Sequence, residues 1–203
     1  MSVDDEPLDE GELTSLIGAM ARNNAAMERD LRSMWVCLAD PRTSLAAGLA
    51  PKGTSKLIQQ CDRMLRLDRK PTKWVHLTDA RRDIALAVLS AARVADAERD
   101  RMVHRTWFAT VDGGWIRDGV TNGGTARDSI TMAEVRSFVS QAKDASIRVM
   151  FLSGAIFQLS FEAPWQGEPN PDLSPEMYFA AANGDYQTIN GFLAFGKAPP
   201  ADG

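Results

Sequence analysis

The ionisable chemistry of this chain is concentrated in one stretch, Glu98-Arg99-Asp100-Arg101-Met102-Val103-His104-Arg105-Thr106-Trp107. His104 is one of two histidines among 203 residues, and an imidazole is the side chain best suited to moving protons near neutral pH. Arginine supplies a permanent planar cation that fits phosphate or carboxylate oxygens. If the stretch is helical, Asp100, His104 and Trp107 stand at i, i+4 and i+7 on one face, which would let Asp100 hold the imidazole and fix its tautomer. Arg99 is five positions before His104 and would point about 140° away around an ideal helix. It is therefore not expected to pair with His104 on one face, but to border the core beside Val88, Ala92 and Ala95. Glu98 lies near the line through Ala91 and Met102. A plainer account is also open: Arg101 and Arg105 complement a helix C-terminal dipole, and His104 packs against Trp107.

The elements that must carry this stretch follow from hydrophobic period. Leu13, Leu16, Ile17, Met20, Met27, Leu31, Met34 and Leu38 recur at helical spacing and predict a first long helix ending at Asp40-Pro41. Asn24 falls inside that stripe, where it either fixes register or faces a cleft. A shorter second helix carries Leu57, Ile58, Cys61, Met64 and Leu65 and stops at Lys70-Pro71. Thr78 is placed to cap a third helix bearing Ile84, Val88, Ala91, Ala92, Ala95 and Met102 and running to about Arg105. Trp107–Val111 and Trp115–Ile116 flank Asp112-Gly113-Gly114 as a small hairpin, and Gly119–Thr125 is expected to be loop. Thr131 and Glu134 form a capping-box pattern for a long fourth helix with Val135, Phe138, Val139, Ala142, Val149, Leu152 and Ile156.

The fold class expected from this order is all-α: an up-down four-helix bundle with a small β-hairpin between helices three and four and an irregular C-terminal segment. The expected divisions are an acidic, disordered N-terminus over 1–12, the bundle over 13–162, and an irregular segment over 163–203 with one short helix near Pro175–Ala182. His76, close behind Pro71, reads as a loop or helix-start residue.

Composition narrows the function classes. A net charge of −4 and a pI near 5.2 argue against a protein that coats nucleic acid nonspecifically. Cys37 and Cys61 are the only cysteines and have neither CxxC nor Cys/His spacing, so no metal site or disulfide is expected and both read as buried thiols of a reducing compartment. Phosphate-loop and HExxH motifs are absent, and no cofactor is expected. No signal peptide or membrane-spanning run is visible, so a cytoplasmic protein without membrane contact is expected.

Arg99-Asp100-x-x-x-His104, late in the third helix of a four-helix bundle, resembles the signature of the HEPN superfamily: an arginine, a polar residue that is often asparagine, then a histidine four to six positions after the arginine. The resemblance spans roughly Leu13 to Leu159, but its specific part is six residues. It implies a dimeric helical bundle and a metal-independent endoribonuclease of the kind found in toxin, antiphage and RNA-processing systems, with the motifs of both subunits lining one cleft. On that resemblance His104 is the general base or acid, Arg99 stabilises charge on the attacked phosphate, and Asp100 orients His104. Arg101 and Arg105 would contact the RNA, and a partner such as an antitoxin would restrain the activity. The second reading open to the sequence is a non-catalytic helical module that binds RNA, a nucleotide or a protein partner, favoured by Asp100 and the acidic charge.

Overall fold

A computed structural model describes residues 10–39, 48–67, 75, 77–109, 115–121, 124–161 and 174–187. The chain is all-α with a small sheet: α1 Glu10–Ala39, α2 Thr54–Leu67, α3 Asp79–Val103, β1 Thr106–Ala109, β2 Trp115–Thr121, β3 Gly124–Ile130, α4 Met132–Phe161 and α5 Pro175–Ala182. This is the helical bundle expected from the hydrophobic period, with its β element between the third and fourth helices. The structure divides into two compact units, one of residues 1–27 and 91–146, the other of 28–90 and 147–203. The division passes through α1, α3 and α4.

The first unit contains the N-terminal part of α1, the C-terminal part of α3, the sheet and the N-terminal part of α4. Its core is built from Leu13, Met20, Met27, Ala92, Ala95, Met102, Ile130, Met132, Val135, Ala142 and Ala145, and the polar residues Asn24 and Asp96 are buried as well. Asn24 is thus inside its stripe and not on an open cleft. α1 starts at Glu10, so Glu10 and Glu12 are a helical first turn and not part of a disordered tail. Acidic groups there offset the positive end of the helix dipole, and Glu12 accepts from Arg136 of α4 at 2.9 and 3.1 Å. The expected capping box is formed: the Thr131 amide donates to Glu134 Oε2 at 2.7 Å and the Glu134 amide to Thr131 Oγ1 at 3.3 Å.

The expected hairpin is larger than two strands. β1, β2 and β3 form an antiparallel meander, with Trp107 opposite Arg117 and Phe108 opposite Ile116 in β1–β2. β2 and β3 pair from Trp115–Ile130 to Thr121–Gly124. The expectation of loop over Gly119–Thr125 is therefore corrected, since Gly119–Thr121 and Gly124-Thr125 are strand. Between Thr121 and Gly124 the sequence is Asn122-Gly123, the dipeptide that most favours a two-residue hairpin. Seven paired positions outweigh the poor strand propensity of single glycines.

The second unit contains the C-terminal part of α1, α2, the N-terminal part of α3, the C-terminal part of α4, and α5. Leu31, Met34, Leu57, Ile58, Leu65, Leu89, Leu152 and Ile156 are fully enclosed in its core, each contributing about 1.5–3 kcal/mol of apolar burial. Thr78 caps α3 as expected, accepting from the Arg81 amide at 3.3 Å. The buried stripe of α3 runs through Ala85, Val88, Leu89, Ala92 and Ala95. Compared with the expected face, it is rotated toward Leu89, leaving Ile84 half-buried and Ala91 exposed.

α5 is the short helix expected near Pro175–Ala182, and it is packed. Phe179, Ala181 and Ala182 are buried, Tyr178 meets Phe151 of α4 edge-on at 6.3 Å, and Arg81 of α3 pairs with Glu176 while lying 5.5 Å over the Phe179 ring. Glu176 accepts backbone and Arg81 hydrogen bonds, which hold its carboxyl below the usual range. Other parts of the expected terminal segments, and His76, lie outside the described residues.

Two consequences can be measured. Burial pushes the Cys61 thiol up to about 12 and also raises that of Cys37, partly offset by a hydrogen bond with Ser160. Because the thiolate is the nucleophile, neither cysteine will take up iodoacetamide at pH 8 in the folded protein, and both will once it is unfolded in guanidinium; mass spectrometry reads the count. Second, a Cβ at Gly154 of α4 would lie 2.7 Å from Tyr178 Cε1. Helix propensity alone favours alanine there by about 1 kcal/mol, but overpacking costs about 1–3 kcal/mol. Gly154→Ala should therefore lower the Tm, whereas a rise would mean that the Tyr178 ring swings aside freely.

Candidate active site at the end of α3

The site lies entirely in the first unit and is created by the way α3 ends. α3 is helical to Val103, and His104 and Arg105 form a bend before β1 begins at Thr106. The His104 amide still donates to the Asp100 carbonyl at 3.1 Å, after which Thr106, Trp107 and Phe108 supply the β-branched and aromatic residues that prefer a strand. Trp107 Nε1 donates to the Met102 carbonyl at 2.9 Å. It thereby satisfies one of the acceptors that every helix C-terminus leaves open, and fixes the direction in which the chain leaves the helix. The expected helical face through Asp100, His104 and Trp107 is therefore not formed, since Trp107 is already on a strand.

This exit brings together the two groups that an ideal helix keeps apart. Arg99 Nη1 lies 3.5 Å from His104 Nε2, because His104 is beyond the last helical residue and its side chain is free to turn back. The expectation that Arg99 and His104 could not share a face extrapolated helical geometry past the helix end. The contact is a long hydrogen bond when Nε2 carries no proton, a length common for catalytic groups before substrate is bound. His104 is 65% exposed at its side chain, and Arg99 28%. Arg99 Nε is enclosed and has no hydrogen-bond partner among the described residues. The guanidinium is thus partly sunk into the surface while Nη1 meets the exposed imidazole.

Asp100 does not hold His104. Its Oδ1 accepts from Arg99 Nη1 at 2.6 Å and stands 4.0 Å from His104 Nε2, too far for a hydrogen bond. Arg101 Nη1 donates to Glu98 Oε1 at 2.5 Å, an i, i+3 pair along α3, so Arg101 is engaged away from the Arg99–His104 contact. Arg105 is half-buried in the bend. Of the five sequence candidates, the structure gathers Arg99, Asp100 and His104 into one cluster and leaves Arg101 in a separate ion pair. Trp107 is on a strand, as the hairpin reading placed it, and the contact that the sequence reading lacked is its indole N–H bond to the Met102 carbonyl.

A groove of about 340 Å³ elsewhere in this unit is lined by Ala91, Val94 and Ala95 of α3 and Ser140, Gln141, Asp144 and Ala145 of α4. It includes none of the candidate residues. Among the described residues no three His, Cys, Asp or Glu side chains converge as metal ligands, and no helix is long and apolar enough to cross a membrane. Compared with protein-family models, curated proteins and solved structures, the chain matches none.

Proposed function

We propose that this protein is an HEPN-like, metal-independent endoribonuclease in which Arg99 and His104 act on the RNA backbone. The observation that carries the reading is the 3.5 Å approach of Arg99 Nη1 to the exposed His104 Nε2. A guanidinium beside an accessible imidazole can supply two of the functions that internal transesterification of RNA uses, proton transfer and stabilisation of phosphate charge. The 2′-hydroxyl attacks the adjacent phosphorus as His104 removes its proton. The bond from phosphorus to the 5′-oxygen breaks, and that oxygen must receive a proton. Arg99 stabilises the extra negative charge on the phosphate oxygens during the exchange.

One imidazole cannot serve as base and acid in the same step. A homodimer that brings a second His104 to the same phosphate resolves this, and such a dimer, with its RNA substrate and an antitoxin or other protein restraint, belongs to the proposal. Arg105, beside His104 in the bend, and Arg101 are the further arginines proposed to contact the RNA. A cytoplasmic site of action agrees with the sequence.

The Arg99–Asp100 bond favours the second reading, a non-catalytic module binding RNA, a nucleotide or a protein, because it occupies the cation that catalysis needs. Purified protein incubated with total RNA and tRNA in EDTA separates the two. Cleavage leaving 2′,3′-cyclic phosphate ends, lost in Arg99→Ala and His104→Ala, is the expected result. A folded wild type that cuts no more than these variants would overturn the nuclease.

A further inference from the structure

We propose that Asp100 is an internal stand-in for phosphate, gating the site by occupying Arg99 until a phosphate group displaces it. This rests on the reading of Arg99 as the phosphate-binding group and adds to it a mechanism of regulation and selection. Three distances carry the argument. Asp100 Oδ1 is 2.6 Å from Arg99 Nη1, the geometry of a short, charge-assisted bond. The same Nη1 is 3.5 Å from His104 Nε2, and Oδ1 is 4.0 Å from that nitrogen. One carboxylate oxygen therefore stands beside both groups that would flank a bound phosphate oxygen.

The chemistry of the replacement is one oxyanion for another. A phosphate oxygen on Nη1 would meet the Asp100 carboxylate as a like charge at close range, so the carboxylate opposes phosphate binding there until it turns away. Asp100 is 57% exposed at its side chain and belongs to the last full turn of α3. Its carboxylate can rotate into water without opening the core, whereas Arg99 is only 28% exposed at its side chain, with Nε enclosed. The more exposed member of the pair is the anion and the more enclosed member is the cation, as a displaceable gate requires.

An exposed ion pair restrains its partner only weakly, so the gate raises the threshold for binding without closing the site. Removing the charge while keeping the shape should tighten phosphate binding by about fivefold. The experiment is an NMR titration of the full chain with inorganic phosphate, following the Arg99 side-chain and His104 ring signals in wild type, Asp100→Asn, Arg99→Ala and the double variant. Asp100→Asn should bind about fivefold more tightly than wild type, and Arg99→Ala should remove binding in both backgrounds. Equal or weaker binding by a folded Asp100→Asn protein, or a gain that survives Arg99→Ala, would overturn the gate. RNA cleavage is scored separately. Cleavage by wild type without any gain in Asp100→Asn sinks the gate alone, whereas an Arg99-dependent gain without cleavage sinks the nuclease and leaves the gate standing.

Discussion

His104→Ala should reduce RNA cleavage in EDTA by about 10²–10⁴-fold, the usual contribution of a positioned proton-transfer group. Arg99→Ala should cost a similar factor, about 10²–10³-fold, as expected for a donor aimed at developing oxyanion charge. Because the two groups are 3.5 Å apart and act on one phosphate, their losses should not add. The double variant should be little worse than the poorer single one, as for other catalytic groups that work as a unit. His104 is exposed and Arg99 is partly enclosed at the surface, and neither belongs to the apolar core, so the variants should keep wild-type circular dichroism and a Tm close to wild type. Loss of cleavage with loss of fold would remove the evidence for a catalytic role. Retained cleavage in a folded His104→Ala protein would move the chemistry away from this cluster.

The second large effect is on stability. Leu31→Ala should destabilise the protein by about 2–5 kcal/mol, the range for removing a fully enclosed leucine and leaving a cavity. Leu31 has no exposed surface, and it stands where α1 meets α2, since its backbone carbonyl receives the Cys61 thiol at 3.9 Å. Leu49 is 68% exposed, and Leu49→Ala should change stability by less than about 0.5 kcal/mol. Urea unfolding of the two variants gives the comparison. A Leu31→Ala cost as small as that of Leu49→Ala would mean that the core of the second unit is not closed around this position.

The four long helices were legible because their signals are local and repeated. Leu13, Met20, Met27, Leu31, Met34 and Leu38 share a stripe, and all are buried. Thr78 and the Thr131–Glu134 pair are capping residues whose hydrogen bonds form as their spacing implies. The short helix over Pro175–Ala182 was visible as well, but its role was not. Contacts such as that of Tyr178 with Phe151 and of Arg81 with the Phe179 ring make it part of a core, and they join residues distant in sequence. The third strand was missed for a related reason: Gly124 and the polar residues of β3 lack strand propensity, and pairing with β2 decided their conformation.

For the candidate site, the sequence by itself determined which groups are present. Arg99, Asp100 and His104 fall within six residues, and no tertiary contact is needed to find them. What only the tertiary structure decided is which of them meet. Periodicity treats a helix as endless, and on an endless helix Asp100 faces His104 while Arg99 does not. The strand pairing that starts at Thr106 and the Trp107 bond to the Met102 carbonyl end α3 at Val103. That single change of backbone direction, imposed by residues beyond the motif, turns the imbalance around. It places His104 beside Arg99 and leaves Asp100 bonded to the arginine.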